Sequence, residues 1–500
     1  MGKLLETRNL YYLLLFPLLT FYTVISDSDY FFHLAAGEYI LSHLSLPHVD
    51  PFSYTMAGQP WVMHEWLFEV IIYRVHETLG TLGVAAFTSA MASTTIFILV
   101  RSCRTRHLAA ELVAALVITI LVFAFFVPRP HIFSYLFLAL FIHGIVRLQH
   151  DGYPSTLKWF PAIMIIWVNT HGGYIVGIVT LTLALGSELI LRLQHGTRHS
   201  EDTRLKAIAF TLLTTTLAST INPYFITHLL FPFQLMGQEA VLTVYEWNRP
   251  DFNRPVLQLY LLFYLIFAVT CIATATRPRP ADLITPFAFI ALGLSAVRHL
   301  PLAVIAVAPY LLQRLSPLPD SNPPDTTRVP DGGQPGLSPL VERGLNALVI
   351  GTTLFVLTSH YSARHQDDAQ ALNRHLPVRA SDFIVEAGLR GNMFNPYQSG
   401  GYLIYKLYPA HKVFIDIRAD MYGEAIMRDY LTIRNAEAGW ERLLEGYAVN
   451  YILCKGDEPL RGALEEANDF ILIYDDHDFS VFIRNTEANR DVTERYRINT

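Results

Sequence analysis

RSCRTRHLAAELVAALVITILVFAFFVPRPH (101–131) carries the pattern that decides the fold. Arg101, Arg104 and Arg106 stand at one end, an apolar run fills 109–127, and Pro128-Arg129-Pro130-His131 closes the other. As a helix, a run of this kind covers most of a bilayer's hydrocarbon core, because each residue rises about 1.5 Å and the core is about 30 Å thick. Working outward, further runs occur at 9–25, 81–100, 132–148, 159–169, 174–193, 206–221, 256–275, 282–297, 301–313 and 344–359, so about eleven spans are predicted. Composition agrees: 52% of the 500 residues are hydrophobic and only 16% are charged, which is too apolar for a water-soluble chain of this size. The N-terminal MGKLLETRNL enters the first run with no small-residue cleavage site before Asp27, which predicts an uncleaved first helix. A net charge of −6 gives no general affinity for nucleic acid, and none is expected as a partner.

The short loops alternate in basic content, and this sets the orientation. Lys3 and Arg8; Arg101, Arg104 and Arg106; Arg147 and Lys158; Arg192, Arg198, Arg204 and Lys206; Arg277 and Arg279; and Arg314 with Arg343 fall on one side. The positive-inside rule makes that side cytoplasmic. The opposite side collects 26–80, PRPH (128–131), NTHGG (169–173), INPY through EWNRPD (221–251) and RHLP (298–301), which contain the unusual polar residues. Independent structural loops have no reason to divide in this way. The predicted fold class is an α-helical polytopic membrane protein with a small C-terminal α/β soluble domain. Its parts are a transmembrane core over 1–313 that includes the first outer loop 26–80, a flexible cytoplasmic linker over 314–343 rich in Pro, Gly and Asp, a last span at 344–360, and an extracytoplasmic domain over 361–500. In that domain strands are predicted at 412–416, 450–454, 470–474 and 479–483, with helices near 423–434 and 458–467. The membrane is expected to be a bacterial inner or plasma membrane, with the N-terminus cytoplasmic. Cys103, Cys271 and Cys454 fall in three different places of this topology, so no intramolecular disulfide is expected.

The first outer loop reads SDSDYFFHLAAGEYILSHLSLPHVDPFSYTMAGQPWVMHEW (26–66). Asp27 and Asp29 follow the first span directly. Two carboxylates one residue apart can converge on one cation or one sugar hydroxyl, although an Asp here can also cap the helix that follows. That helix, FFHLAAGEYILSHL, is predicted to be amphipathic and to lie at the membrane interface. His33 one turn on, and His64 with Glu65 in the same loop, add acid–base candidates. Acidic groups at membrane depth are costly and are functional candidates for that reason.

With these residues in view, the chain resembles the GT-C superfamily of membrane glycosyltransferases over roughly residues 1–315. The resemblance rests on the architecture and on Asp27-Ser28-Asp29. DPFSYT and HEW look like segments of bacterial relatives whose substrates are undefined, and the tail lacks the WWD-type motif of oligosaccharyltransferases. The resemblance implies a polyprenyl-phosphate-linked sugar as donor, a catalytic role for Asp27 and Asp29, and a glycan, lipid or protein as acceptor.

The remaining outer motifs supply candidates for the donor phosphate. Arg129 and His131 lie in PRPH and Arg298 with His299 in RHLP; a guanidinium can grip phosphate in a bidentate fork, or merely snorkel to the headgroups. His171 lies in NTHGG, where the tight reversal needs the glycines but not the imidazole. Glu246-Trp247 offers an acid and a sugar-stacking ring, or ordinary loop packing. In the tail, Asp416, Arg418 and Asp420 close a predicted strand, where α/β domains often place ligand contacts and where a salt-bridged turn is the plain alternative. Glycosyl transfer needs an acid to take the acceptor's proton and positive charge for the departing phosphate. Asp27, Asp29, His64 and Glu65 are the catalytic candidates. His33, Arg129, His131, His171, Glu246, Arg298 and His299 are the binding candidates. Asp27 and Asp29 could also carry a divalent cation, Mg or Mn. The alternatives are a transporter or flippase for a lipid-linked glycan, or a polysaccharide polymerase or ligase. The scarcity of mid-span charges favours the enzyme, since a transport path needs polar groups at the midplane.

The topology makes a direct prediction. In a background lacking the native cysteines, Ser338→Cys should resist a membrane-impermeant thiol reagent in intact cells and react after permeabilisation. Labelling of intact cells would refute the assigned orientation.

Overall fold

The computed structural model describes residues 27–102, 108–151, 155–195, 199–229, 245–273, 278–315 and 375–498, with isolated positions 347 and 351. The predicted first and last spans, most of the 314–343 linker, and Lys3, Arg8, Arg104, Arg106, Arg198, Arg277 and Arg343 lie outside the described residues.

Every predicted span from 81–100 to 301–313 falls on a described helix. After α1 (Ser28–His43) come α2 (Trp66–Ser102), α3 (Leu108–Val122), α4 (His131–Asp151), α5 (Phe160–Thr170), α6 (Ile175–His195), α7 (His199–Ala218), α8 (Pro255–Ala273), α9 (Pro280–Ser295) and α10 (Leu300–Leu315). Among the described residues, four helical stretches are long and apolar enough to cross a membrane: Trp66–Ser102, His131–Gln149, Gly172–Gln194 and Pro255–Ala273. Val113–Phe125 and Pro280–Ser295 are shorter apolar helices. α2 changes character at Gly80, whose φ of 63° and ψ of −164° interrupt the helical backbone. Only glycine takes up that conformation without strain, and it separates a polar-flanked segment from the predicted span 81–100.

The chain forms two compact units. One comprises 1–23, 85–225 and 246–362; the other comprises 24–84, 226–245 and 363–500. In the first, α10 is the central element: Leu300 through Leu311 are all buried, and the helix packs against α3, α4, α8 and α9. A helix apolar on every face can only be a core helix. The surrounding helices turn large apolar side chains outward, among them Leu262, Leu265, Val269 and Ile272 of α8 and Val113, Leu116 and Ile120 of α3. Apolar surface on this scale is stable against lipid and not against water. The chain is an integral membrane protein.

The second unit joins the first outer loop to the tail. After α11 (Val378–Glu386), the tail contains β1 (Asn392–Phe394), α12 (Gly400–Leu407), α13 (Ala419–Arg434), α14 (Trp440–Gly446), β2 (Val449–Lys455), α15 (Pro459–Glu466), β3 (Phe470–Asp475), β4 (Phe479–Arg484) and α16 (Arg490–Tyr496). The sheet order is β1-β2-β4-β3, with β1 and β2 parallel and the other pairs antiparallel. Strands β2, β3 and β4 match the sequence reading. The segment 412–416 does not enter the sheet, and Asn392–Phe394 takes the edge instead. Val413 donates to the Phe52 carbonyl at 3.2 Å and accepts from the Tyr54 N–H at 3.1 Å. The Phe414 N–H is taken by the Asn395 side chain at 2.8 Å. The extended backbone that the sequence shows is therefore satisfied by the first outer loop.

Helix α1 also departs from expectation. Tyr30 through Gly37 and Ile40 are buried, and α1 packs against α12. The ring of Phe31 meets Tyr402 edge-on at 5.0 Å. An interfacial helix would leave one face to lipid and headgroups, whereas this one is enclosed by protein because Phe31 and Phe32 lie on faces that the tail covers.

The unit turns on Arg418. Its guanidinium binds Asp416 through Nε to Oδ1 at 2.8 Å and NH2 to Oδ2 at 2.5 Å, and its NH1 reaches Asp50 at 2.9 Å. Tyr422 donates to Asp416 at 2.6 Å. Asp50 in turn accepts from the Phe52 and Ser53 amides. Rings of Phe32 and Trp61 cover the guanidinium at 5.0 and 4.6 Å. Asp416 is 0% and Arg418 6% exposed, so each charge depends on the others for solvation. Asp50→Ala should destabilise the full chain by about 3–5 kcal/mol, read by thermal unfolding and protease resistance in detergent. Wild-type stability would show that the cluster does not secure the loop.

Candidate functional site

In the first unit, residues from separate inter-helix loops meet. Arg129, in the PRPH turn before α4, donates from NH1 to Glu246 Oε1 at 3.1 Å. Arg298 lies with its Cζ 4.1 Å above the Trp247 ring, a cation–π geometry. The Val297 N–H bonds to the Asn248 carbonyl at 3.0 Å, which ties RHLP to EWNRPD. His299 sits edge-on to Trp247 at 6.3 Å and 3.1 Å from the Ser295 hydroxyl. Arg129, Glu246 and Arg298 all act electrostatically on His131. The His131 ring lies 6.4 Å from that of His171. Asn169 spans from NTHGG to the Ile221 carbonyl at 2.9 Å. The binding candidates Arg129, His131, His171, Glu246, Arg298 and His299 thus belong to one neighbourhood. Two guanidiniums there, with only Glu246 among the carboxylates named above, form a basic site edged by an aromatic ring.

The second unit gathers the acid–base candidates. Asp27 is the N-cap of α1, and its Oδ1 accepts the Asp29 N–H at 3.2 Å. The capping role that sequence allowed is observed for Asp27, while Asp29 lies in the first helical turn, where the dipole favours a negative charge. His33 is buried with its Nδ1 3.6 Å from Glu69 Oε1. Burial opposes charge on His33, and Glu69, Glu65 and Asp29 outweigh it, so its pKa is raised. His64 Nε2 lies 3.5 Å from Glu65 Oε1, and the His64 ring meets His228 at 6.0 Å. Burial disfavours the imidazolium of His64, but Glu65 and then Asp420 carry its pKa up to about 9. His228 goes the other way, to about 3, through burial and the neighbouring His64 charge. Asp420 is raised by burial, with His64 and Arg418 opposing. Opposed pKa shifts in adjacent groups are a mark of acid–base sites.

The tail candidates divide. Asp416 and Arg418 are committed to the buried ion cluster, whereas Asp420 interacts with His64 and Glu65. Sequence reasoning missed Glu69, His228 and Asp50. Glu69 was detectable as an acid inside the apolar run LFEVII. His228 gave no pattern, and Asp50 stood in DPFSYT with nothing beside it to mark its partner. Among the described residues no group of three or more His, Cys, Asp or Glu side chains is arranged to hold a metal ion. Asp27 and Asp29 could offer carboxylate oxygens to Mg or Mn only with further ligands from elsewhere.

No family model matches the sequence, and no curated protein is similar to it. Solved structures are similar in fold. The Archaeoglobus fulgidus oligosaccharyltransferase AglB, in complex with an inhibitory peptide and a dolichol-phosphate, aligns over 96% of this chain and 74% of its own, with a TM-score of 0.52 and 11% identity. The same enzyme tethered to an acceptor peptide containing the NVT sequon gives a TM-score of 0.52 at 11% identity over 95% of this chain and 74% of its own. ArnT from Cupriavidus metallidurans aligns over 91% of this chain and 93% of its own, with a TM-score of 0.51 and 14% identity. Both are GT-C membrane glycosyltransferases. The fold resemblance that the sequence suggested is present across nearly the whole chain.

The His64 pair has a pH signature. A folded pKa of about 9 against an ordinary 6.5 means its stabilisation is complete below about pH 6.5 and is lost as pH rises through 9. Glu65→Gln should flatten that decline in thermal unfolding between pH 6 and pH 10 (roughly the titration window). An unchanged slope would contradict the pairing.

Proposed function

We propose that this protein transfers a sugar from a polyprenyl-phosphate-linked donor to an acceptor on the extracytoplasmic face of the membrane. The observation that carries the reading is the meeting of Arg129, Glu246, Trp247 and Arg298 from three inter-helix loops. A phosphate on a lipid needs fixed positive charge at the edge of the bilayer, and two guanidiniums supply it with directional donors. Trp247 offers a flat face for a sugar or an isoprenoid. The fold shared with AglB and ArnT supports the same reaction class, and the AglB complex with dolichol-phosphate supports a lipid-phosphate donor.

In this reading the bond from the anomeric carbon to the phosphate oxygen breaks as the bond from the acceptor oxygen forms. The bonding electrons leave with the polyprenyl phosphate, held by Arg129 and Arg298, and the acceptor's proton passes to a carboxylate. Asp29, in the first helical turn beyond the Asp27 cap, is the base assigned here; Glu65 is the alternative in the same unit, and His64, with its raised pKa, would serve as an acid. General-base assistance of this kind contributes about 10²–10⁴-fold. When a divalent cation is bound, Asp27 and Asp29 would hold it, it would neutralise phosphate charge, and the role of base would pass to Glu65; Mg commonly takes only one or two carboxylates alongside phosphate and water.

The test is purified protein in lipid, supplied with polyprenyl-phosphate sugars and candidate acceptors and followed by mass spectrometry. Asp29→Asn should lower transfer by about 10²-fold or more with expression and membrane insertion unchanged. Arg129→Lys and Arg298→Lys should each lower it about tenfold or more, because an ammonium keeps the charge but lacks the planar fork. Wild-type rates in all three variants would overturn the reading.

A further inference from the structure

Within the second unit, the turn NPYQSGGY (395–402) brings the tail against the start of α1. Two adjacent glycines there make two close approaches. A Cβ on Gly401 would overlap the Ser28 carbonyl oxygen and stand 2.9 Å from the Ser28 hydroxyl. A Cβ on Gly400 would overlap the Ile415 carbonyl oxygen and stand 2.5 Å from the Asp416 Cα. Only glycine lets two backbones meet so closely. One glycine therefore touches the aspartate motif, and the other touches the segment that holds Arg418. Tyr397, in the same turn, lies within electrostatic reach of Asp29, Asp416 and Asp420. The Ser28 hydroxyl adds a hydrogen bond to this contact. The first N–H groups of a helix have no partner inside it, and an N-cap side chain with extended backbone usually accepts the second or third. Ser399 holds the N-cap position of α12, but its φ of −93° and ψ of −14° are helical, because the short turn Tyr397–Ser399 runs straight into α12. Its side chain makes no cap, and its hydroxyl is buried without a hydrogen-bond partner. The N–H of Tyr402, the third residue of α12, goes instead to Ser28 Oγ at 3.3 Å, across 374 residues of sequence.

We propose that Ser28 and Gly401 are positioning residues: they fix the Asp27–Asp29 motif to the tail and so hold Asp29 in place for proton transfer. The Asp27 cap does not supply this, because it bonds the Asp29 N–H within the motif and moves with it. The Arg418 cluster does not supply it alone either, since it grips the loop at Asp50, beyond the far end of α1. Gly401 meets the motif itself, and through Gly400 the rigidity of the buried ion cluster reaches it. Accurate placement matters to the rate: a shift of about 1 Å in a reacting group can cost about 10²-fold. The tail then belongs to the catalytic machinery. The inference rests on the assignment of Asp29 above and deepens it.

The experiment uses the full chain in nanodiscs. It combines hydrogen exchange at the Tyr402 amide, thermal unfolding, and the transfer assay above with decaprenyl-phosphate sugars. Ser28→Ala should speed exchange of that amide about fivefold, the scale of a lost cap, and Ser399→Ala should leave it unchanged. The reverse pattern overturns the cap, and this measurement needs no acceptor. In transfer, Ser28→Ala should lower kcat about tenfold and Gly401→Ala about 10²-fold, with KM for the lipid donor within about threefold of wild type. Ser399→Ala should transfer like wild type. A wild-type kcat in Ser28→Ala overturns the proposal, even if Gly401→Ala does not fold. A loss confined to donor KM or to the unfolding temperature, with kcat intact, marks a packing role and also overturns it. If Asp29→Asn abolishes transfer in those cases, the assignment of Asp29 survives. If Asp29→Asn transfers like wild type, or if the wild type transfers no sugar, that assignment and this inference fall together.

Discussion

Hydrocarbon will not solvate an unsatisfied polar group, and this constraint sorts the whole chain. Backbone groups in the bilayer must bond within their own helix, and charged side chains move to helix ends, where water or another charge can reach them. The outcome is visible in α10, which is apolar from Leu300 to Pro309, and in the arginines that flank it. Arg298 lies at its N-terminal approach over Trp247; Arg314 lies in its last turn, 3.6 Å from Asp282. Polar chemistry in such a protein concentrates at helix ends because the bilayer leaves it nowhere else. Arg129, His131, His171, Glu246 and Arg298 are the residues so collected.

A second arrangement applies the same electrostatic logic inside protein. Arg418 is enclosed by Asp416, Asp50 and three aromatic rings, and it joins the first outer loop to the tail within one compact unit. Under the proposed reading, proton transfer needs acids whose positions do not drift. Around this anchor lie His64, Glu65 and Asp420, so a rigid buried ion cluster adjoins groups with opposed pKa shifts. The cluster costs desolvation, and the hydrogen bonds from Tyr422, Ser53 and the loop amides offset it.

Much of this was legible in the sequence, because hydropathy is a local property. The apolar helices between 81 and 313, the three long strands of the tail, and the polar motifs between helices all announce themselves over a few residues. What stayed hidden depends on distant partners. Nothing near Asp50 indicates that it meets Arg418. The extended segment 412–416 reads as a strand, yet its hydrogen bonds go to Phe52, Tyr54 and Asn395. Helix α1 carries aromatic and polar residues at interfacial spacing, but α12 covers the face that lipid was expected to touch. His228 gave no pattern at all.

The central claim is that a lipid phosphate is held between Arg129 and Arg298. The most direct test is an experimental structure of the protein in nanodiscs with decaprenyl phosphate bound. The account predicts density for the phosphate within hydrogen-bond reach of both guanidiniums, with the isoprenoid leaving toward the bilayer. A phosphate bound away from both arginines, or at the opposite ends of the helices, would contradict it.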